Sequence, residues 1–298
     1  GTIVTTAITN GGPADAYGVA FLAANAGAAT DVATINNNGG TIIARVSTDN
    51  GAHWKQGTAI DTRGLVGPVG SKAVINLTGA GSIYGNVNIR AADAINVSAG
   101  ETQLNGIVNS DKALNGKLTI ASGGTLYLRD LTEGTFTDGS VTSTNYTGPS
   151  KVYVDSFSNA NGGVLALEVP NSNSGTTTWG NYPQVFANTA NVDKGVLELR
   201  PSSNFNANGL YADSYQLNDI IVANTITGTL APVKTNSVLL SATATQNKVL
   251  NGVTQAKDTI DLAINRVKFN AVAGLNRNQT SVATAIEGTY NPASIGIS

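Results

Sequence analysis

Five times in this chain a glycine opens the pattern Gly-x-aliphatic-x-aliphatic: GNVNI at Gly85–Ile89, GKLTI at Gly116–Ile120, GTLYL at Gly124–Leu128, GVLAL at Gly163–Leu167 and GVLEL at Gly195–Leu199. Related pieces are GTIIARV at Gly40–Val46, AVINL at Ala73–Leu77 and AINVS at Ala94–Ser98. Alternation with period two places one set of side chains inward and the other outward, which predicts short strands. The glycine is expected to supply the free φ of the preceding turn.

Turn clusters rather than helices separate these strands: NNNGG at Asn36–Gly40, SAGETQLNG at Ser98–Gly106, SNANGG at Ser158–Gly163 and NSNSG at Asn171–Gly175. Many short strands without long amphipathic helices imply an all-β fold, with a sandwich, a barrel and a β-solenoid as candidates. Recurrence of one strand unit over more than a hundred residues favours the solenoid, because repeat folds bury a core only by stacking each unit on its neighbour. Coils of roughly 20–25 residues, stacked about 4.8 Å apart, predict a rod on the order of 60 Å long. Asn, Thr and Ser are expected to hydrogen-bond to their equivalents one coil away.

Composition fits a surface built from neutral polar groups. Hydrophobic residues are 41% and charged residues only 12% of the 298, with a net charge of -2. No basic block appears, so nucleic-acid binding has no support. No run of about 18 apolar residues predicts a membrane-spanning helix. There is no Cys, which removes disulfides, thiol catalysis and Cys-based metal sites. The start, GTIVTTAITNGG, lacks the features of an export signal. The expectation is a processed product or a fragment of a longer chain.

The first seventy residues read as less regular. Ala14–Thr30 is Ala-rich and predicts a short helix or a cap, and Ala52–Gly70 reads as a loop-like excursion carrying His53 and Trp54. Solenoid ends need cover against edge pairing, so a cap is expected there.

A search for chemistry yields little. Sugar cleavage needs two carboxylates about 5–10 Å apart, and Asp130/Glu133 and Asp213/Asp219 are the candidate pairs. A single His, His53, and no G-x-S-x-G speak against a serine hydrolase. No zinc, EF-hand, calcium-repeat or P-loop pattern occurs. No catalytic, cofactor-binding or metal residue is therefore assigned, and no cofactor is expected. Tyr146, Tyr153, Trp179, Tyr182, Tyr211 and Tyr215 fall between strands. Two readings stand for them, contacts to sugar or protein and capping of a core.

The C-terminal third changes character. A strand at Asp219-Ile220-Ile221-Val222 is followed by expected strands at Gly228-Thr229-Leu230, Ser237–Ser241 and Thr259–Ala263, and then by Arg266, Phe269, Ala273 and Asn278-Gln279-Thr280-Ser281-Val282-Ala283-Thr284-Ala285-Ile286. The last nine residues predict a helix, with Asn278 as its cap and Val282 and Ile286 on one face. In order and spacing, residues of about 195–290 resemble the C-terminal end of bacterial autotransporter passengers of the pertactin-like kind.

That resemblance implies a right-handed parallel β-helix, ending in a β-sandwich-like autochaperone segment and a short helix at the junction with an outer-membrane barrel. It divides the chain into 1–70 (irregular β cap), 71–194 (coils) and 195–298 (autochaperone-like segment and helix). Arg266 and Arg277 become structural or junction residues. It also implies a non-enzymatic passenger at the cell surface of a Gram-negative bacterium, or secreted from it. Such a passenger acts as an adhesin or aggregation factor, with host or neighbouring-cell molecules, further copies of itself and its own barrel as partners. A self-assembling surface layer or filament is the alternative, and a polysaccharide-active enzyme on the same scaffold the third.

Overall fold

A computed structural model of the protein describes residues 1–10, 15–21, 32–51, 54–65, 70–130, 135–138, 141–144, 148–169, 182–201, 213–247 and 257–290. These residues are mostly β, with extensive parallel pairing, no barrel closure and one α-helix.

The parallel pairs fall into three ladders. The first begins with Thr2–Ile8 and Thr41–Ser47 and continues through Gly81–Tyr84, the second half of Ala94–Asn105 and Gly124–Leu128. It ends with Val164–Val169, Val196–Pro201 and Lys234–Thr235. The second contains Tyr17–Ala20, Thr58–Asp61, Asn86–Asn88 and Ile107–Val108. The third contains Val32–Asn38, Lys72–Thr78, the first half of Ala94–Asn105 and Lys117–Ile120. The long strands Lys151–Asn159, Gln184–Asn191 and Ser214–Thr227 pass through the second ladder and then the third. The chain visits first, second and third ladder in that order, then starts again.

Each ladder contributes one inward row of aliphatic side chains. The first aligns Ile42, Ile83, Leu104, Leu128, Leu167 and Leu199. The second aligns Val87, Val108, Val152, Val185 and Ile221. The third aligns Ile35, Ile75, Ile95, Leu118, Phe157, Ala190 and Ile226. Most of these side chains are fully buried and belong to one core cluster. Burial of a Leu or Ile contributes about 1.5–3 kcal/mol, so these rows supply the main attraction between successive strands.

Repeat length is irregular. Thr2, Thr41, Ser82, Gln103, Tyr127, Ala166, Glu198 and Lys234 occupy one row of the first ladder. Their separations vary almost twofold because segments are inserted between strands. Eight strands about 4.8 Å apart make this ladder roughly 35 Å long, shorter than the 60 Å expected from uniform short coils.

Not every pentad glycine serves a turn. Gly163 and Gly195 have ordinary φ; a Cβ on them would lie 2.3 Å from the Ile120 carbonyl oxygen and 1.8 Å from that of Asn159. Close approach to the preceding strand, rather than a left-handed turn, selects glycine there.

Polar groups also join neighbouring strands. Asn76 donates to Asn36 (2.9 Å) and Asn96 to Asn76 (3.1 Å), while Asn224 donates to Asn188 (3.2 Å) and Asn188 to Asp155 (2.8 Å). The buried Asp93 carboxylate accepts from the Ala73 and Arg90 backbone N–H groups and from the Thr62 hydroxyl.

Five sequence expectations need correction. Ser98–Gly106, expected as a turn cluster, lies almost wholly within the strand Ala94–Asn105. Tyr17–Ala20 is a strand rather than part of a helix, and Lys55–Gln56 and Thr58–Asp61 are strands inside the expected loop excursion. The strand expected at Ser237–Ser241 lies at Leu240–Asn247, and Gly228–Leu230 is not a strand. Alternation in SVLLS is too short to set a boundary, and the pairing partner Asp258–Arg266 sets it instead. Ser214–Thr227 also pairs with Asp258–Arg266, so the parallel system ends in an antiparallel three-stranded unit.

Candidate functional site

Outward positions of the first ladder carry a cluster of charges, although the chain is poor in them. Tyr127 aligns with Ala166, and Ala166 with Glu198. The small Ala166 leaves room for long neighbours to lie across it. Arg200 spans the gap, with its guanidinium 4.5 Å from the Tyr127 ring centre and 2.8 Å from both Glu101 and Glu198. Arg129 lies 5.1 Å from the same ring. Its Nε donates to Glu168 (2.6 Å) and its Nη1 to Gln103 (2.9 Å). Glu168 is buried and also accepts from the Asp130 backbone N–H. Burial, reinforced by the Glu168 charge, pushes the Tyr127 phenol up to about 12.

The next side chains belong to the start of the second ladder. Lys151 Nζ donates to the Tyr182 carbonyl and to Gln184 Oε1, both at 2.6 Å. Burial pulls its amine down to about 8, against the opposing pull of Asp130. Tyr182 donates its hydroxyl to the Asn218 carbonyl, and Gln184 Nε2 donates to the Asp219 carbonyl. Asp219 is held at φ 58°, and its N–H donates to Asp261 (2.7 Å). Burial and then the Asp261 charge raise the Asp219 carboxyl.

Three chain segments leave the same end of consecutive first-ladder strands, after Asp130, Val169 and Pro201, and return near Ser150, Tyr182 and Asp213. The polar cluster lies at the base of these insertions. The first includes a short antiparallel hairpin, Thr135–Asp138 with Val141–Thr144. Loops carried on a rigid scaffold are a common place for recognition. Within the cluster itself, Glu101, Glu168 and Glu198 are each bound by arginine.

The candidate pair Asp213/Asp219 is not assembled as a pair. Asp213 binds Arg266 (2.9 Å), whereas Asp219 faces Asp261. Asp213 and Asp219 lie six positions apart, with a bulge between Leu217 and Ile221, and each turns to its own partner. Their spacing in sequence gave no warning of these separate partners. Asp130 lies beside Glu168, and Glu133 lies outside the described residues, as do His53, Tyr146, Trp179 and Tyr211. Trp54 is buried with Arg45 4.6 Å from its ring centre. Tyr153 stacks on Phe186 at 4.9 Å, Tyr182 is buried, and Tyr215 packs against the core. The described tyrosines of that set therefore pack the scaffold. No group of three or more His, Cys, Asp or Glu placed to hold a metal occurs among the described residues.

Arg266 is held between two acids and an aromatic ring. Its side chain is only 5% exposed and binds both Asp213 and Glu287. It lies 4.0 Å over the Tyr290 ring. Arg277 is exposed at the start of the helix Arg277–Thr289. The cap is Asn276 rather than Asn278: Asn276 accepts from the Gln279 N–H, and Gln279 returns a bond to the Asn276 N–H. This capping box was present in the sequence as N-x-x-Q. Val282 and Ile286 share an exposed face, at 60% and 47%. No helix among the described residues is long and apolar enough to cross a membrane, which leaves membrane β-barrels untouched.

Compared with protein-family models, with curated proteins and with solved structures, the chain matches none.

Proposed function

We propose that this chain is a right-handed parallel β-helix of the autotransporter-passenger type, acting without catalysis as a binding rod at the surface of a Gram-negative cell. One observation carries the reading: three parallel ladders are visited in constant order and end in an antiparallel unit to which a capped helix is tied. A solenoid of this kind grows by adding strands to an edge, and an antiparallel cap stops that growth. In this reading recognition falls at the end of the first ladder where the chain leaves after Asp130, Val169 and Pro201, and the Glu101–Arg200–Tyr127–Arg129–Glu168 cluster braces that end. Pairing of the cluster's carboxylates with arginine supports a structural role over acid–base chemistry.

The test joins the chain to a signal peptide and an outer-membrane barrel in a Gram-negative host. The expected result is a folded chain cut by external protease on intact cells, together with adhesion to host or neighbouring cells. Replacement of 170–181 by a short Gly/Ser linker should reduce adhesion and preserve display. Retention in the periplasm, or cleavage of polysaccharides by the purified chain, would overturn the reading.

A further inference from the structure

Charge is distributed unevenly around the three ladders. The outward face of the third contains two rows that cross seven strands. One row is Asn36, Asn76, Asn96, Thr119, Ser158, Asn191 and Thr227. The other is Thr34, Val74, Ala94, Lys117, Ser156, Thr189 and Thr225. Every member of the first row is Asn, Thr or Ser, and all fourteen are at least partly exposed. Among the described residues paired in this ladder only Lys72 and Lys117 are charged, and the nearest acid, Asp155, sits at its edge beside Ser156. At the top of the face, Asn36, Asn76 and Asn96 are held in register by side-chain hydrogen bonds.

We propose that this face docks a second copy of the same chain, the two bodies lying side by side with ladder axes pointing the same way. The proposal deepens the surface-rod reading by naming a partner and the surface that meets it.

Charge and area favour this occupant. Asn, Thr and Ser both donate and accept, so the face is complementary to itself. The bonded Asn row is already ordered, which lowers the entropy lost on docking. A two-fold axis parallel to the ladder makes the facing strands antiparallel and sets one row against the other. Lys117 then meets the copy's Thr119 rather than its Lys117, and no like charges are opposed.

Seven strands spaced about 4.8 Å and roughly 15 Å wide give about 450 Å² per copy, or about 900 Å² together. That is the size of a weak, transient interface. Many copies on one surface would make it effective through multivalency.

The test is sedimentation velocity of the purified 298-residue chain across a wide concentration range. Wild type should show a weak monomer–dimer equilibrium. Thr119→Lys, opposed to Lys117, should weaken it on the order of tenfold, whereas Thr119→Glu should preserve or strengthen it. Circular dichroism and thermal midpoint should be unchanged in both variants, because position 119 points outward. A wild type that stays monomeric overturns the proposal. So does a dimer that survives Thr119→Lys, including one dispersed instead by Ile3→Lys on the exposed edge strand Thr2–Ile8. The purified chain needs no export, so failure here is distinct from failure of surface display.

Discussion

Arg266 and Glu287 meet in a two-pronged ion pair: Nη1 donates to Oε2 at 2.8 Å and Nη2 to Oε1 at 2.6 Å. The pair joins the end of the strand Asp258–Arg266 to the last turn of the helix Arg277–Thr289. A carboxylate in a last turn is poorly placed relative to the helix dipole, so the arginine is what holds it there. The Phe269 N–H donates to the same carboxylate, and Tyr290 covers the guanidinium.

Helix attachment should therefore fail in acid. The Arg266 hydrogen bonds hold the Glu287 carboxyl down to about 2, below its usual 4.5. A depressed carboxyl stabilises the docked state above its unfolded value and loses that effect as pH falls towards the folded one. Protection factors across 277–289, taken against intrinsic exchange at each pH, should be high at pH 6 and fall progressively between about pH 4.5 and pH 2. Arg266→Gln should show the low protection already at neutral pH, while the core strand Lys117–Ile120 stays protected. Unchanged protection of the helix in that variant would refute the clamp.

Stacked aliphatic rows make single core truncations costly. Leu128 is fully buried between Leu104 and Leu167. Leu128→Ala should cost about 2–5 kcal/mol in urea denaturation. Gly195→Ala should cost at least about 2 kcal/mol, because its methyl would overlap the Asn159 carbonyl oxygen. A neutral Gly195→Ala would mean that the two backbones separate without loss, contrary to the tight approach described above.

Legibility in the sequence followed distance along the chain. All five Gly-x-aliphatic-x-aliphatic pieces contain strands, because period-two alternation is local and needs no knowledge of partners. The partner of each strand was hidden, since parallel pairing joins residues separated by insertions of variable length. Asn276 announced its capping box through Gln279 three residues later, yet Asn278 looked equally able to cap the same run. The Arg200–Glu101 contact had no local signal. The two residues are about a hundred positions apart, on strands with Gly124–Leu128 and Val164–Val169 between them, and Arg200 crosses over Tyr127 to reach Glu101. A useful clue was available in the outward positions of GTLYLR and GVLELR, where Tyr127, Arg129, Glu198 and Arg200 replace the usual Asn and Thr.

Two buried groups should shape stability in alkali, in opposite directions. Burial pulls Lys151 from 10.5 to about 8, so the folded chain releases that proton earlier than the unfolded one. Raising pH from about 8 to 10.5 should favour the fold through Lys151, by roughly 3 kcal/mol at most. Tyr127 is pushed up from 10 to about 12. Its contribution is complete below pH 10 and is lost as pH rises through 12. Urea denaturation of wild type and Lys151→Gln at pH 7 and pH 10 isolates the first effect. The difference between them should shift in favour of wild type at the higher pH, and an identical difference at both values would remove Lys151 as its source.

Asn105 is the inverse case, a polar group whose removal should help. It is 2% exposed, and neither its Oδ1 nor its Nδ2 has a protein hydrogen-bond partner among the described residues. An unsatisfied buried amide costs about 1–3 kcal/mol, whereas an apolar side chain of the same size carries no such cost. Asn105→Leu should therefore raise stability by about 1–2 kcal/mol. Asn105→Asp should lower it by more than Asn105→Leu raises it, because it buries a charge at the same point. Urea midpoints of the three proteins at neutral pH give the ordering directly. If Asn105→Leu is the least stable, the amide is making bonds that its surroundings do not reveal. The strand end would then owe its geometry to those bonds rather than to the row formed by Leu104, Leu128 and Leu167.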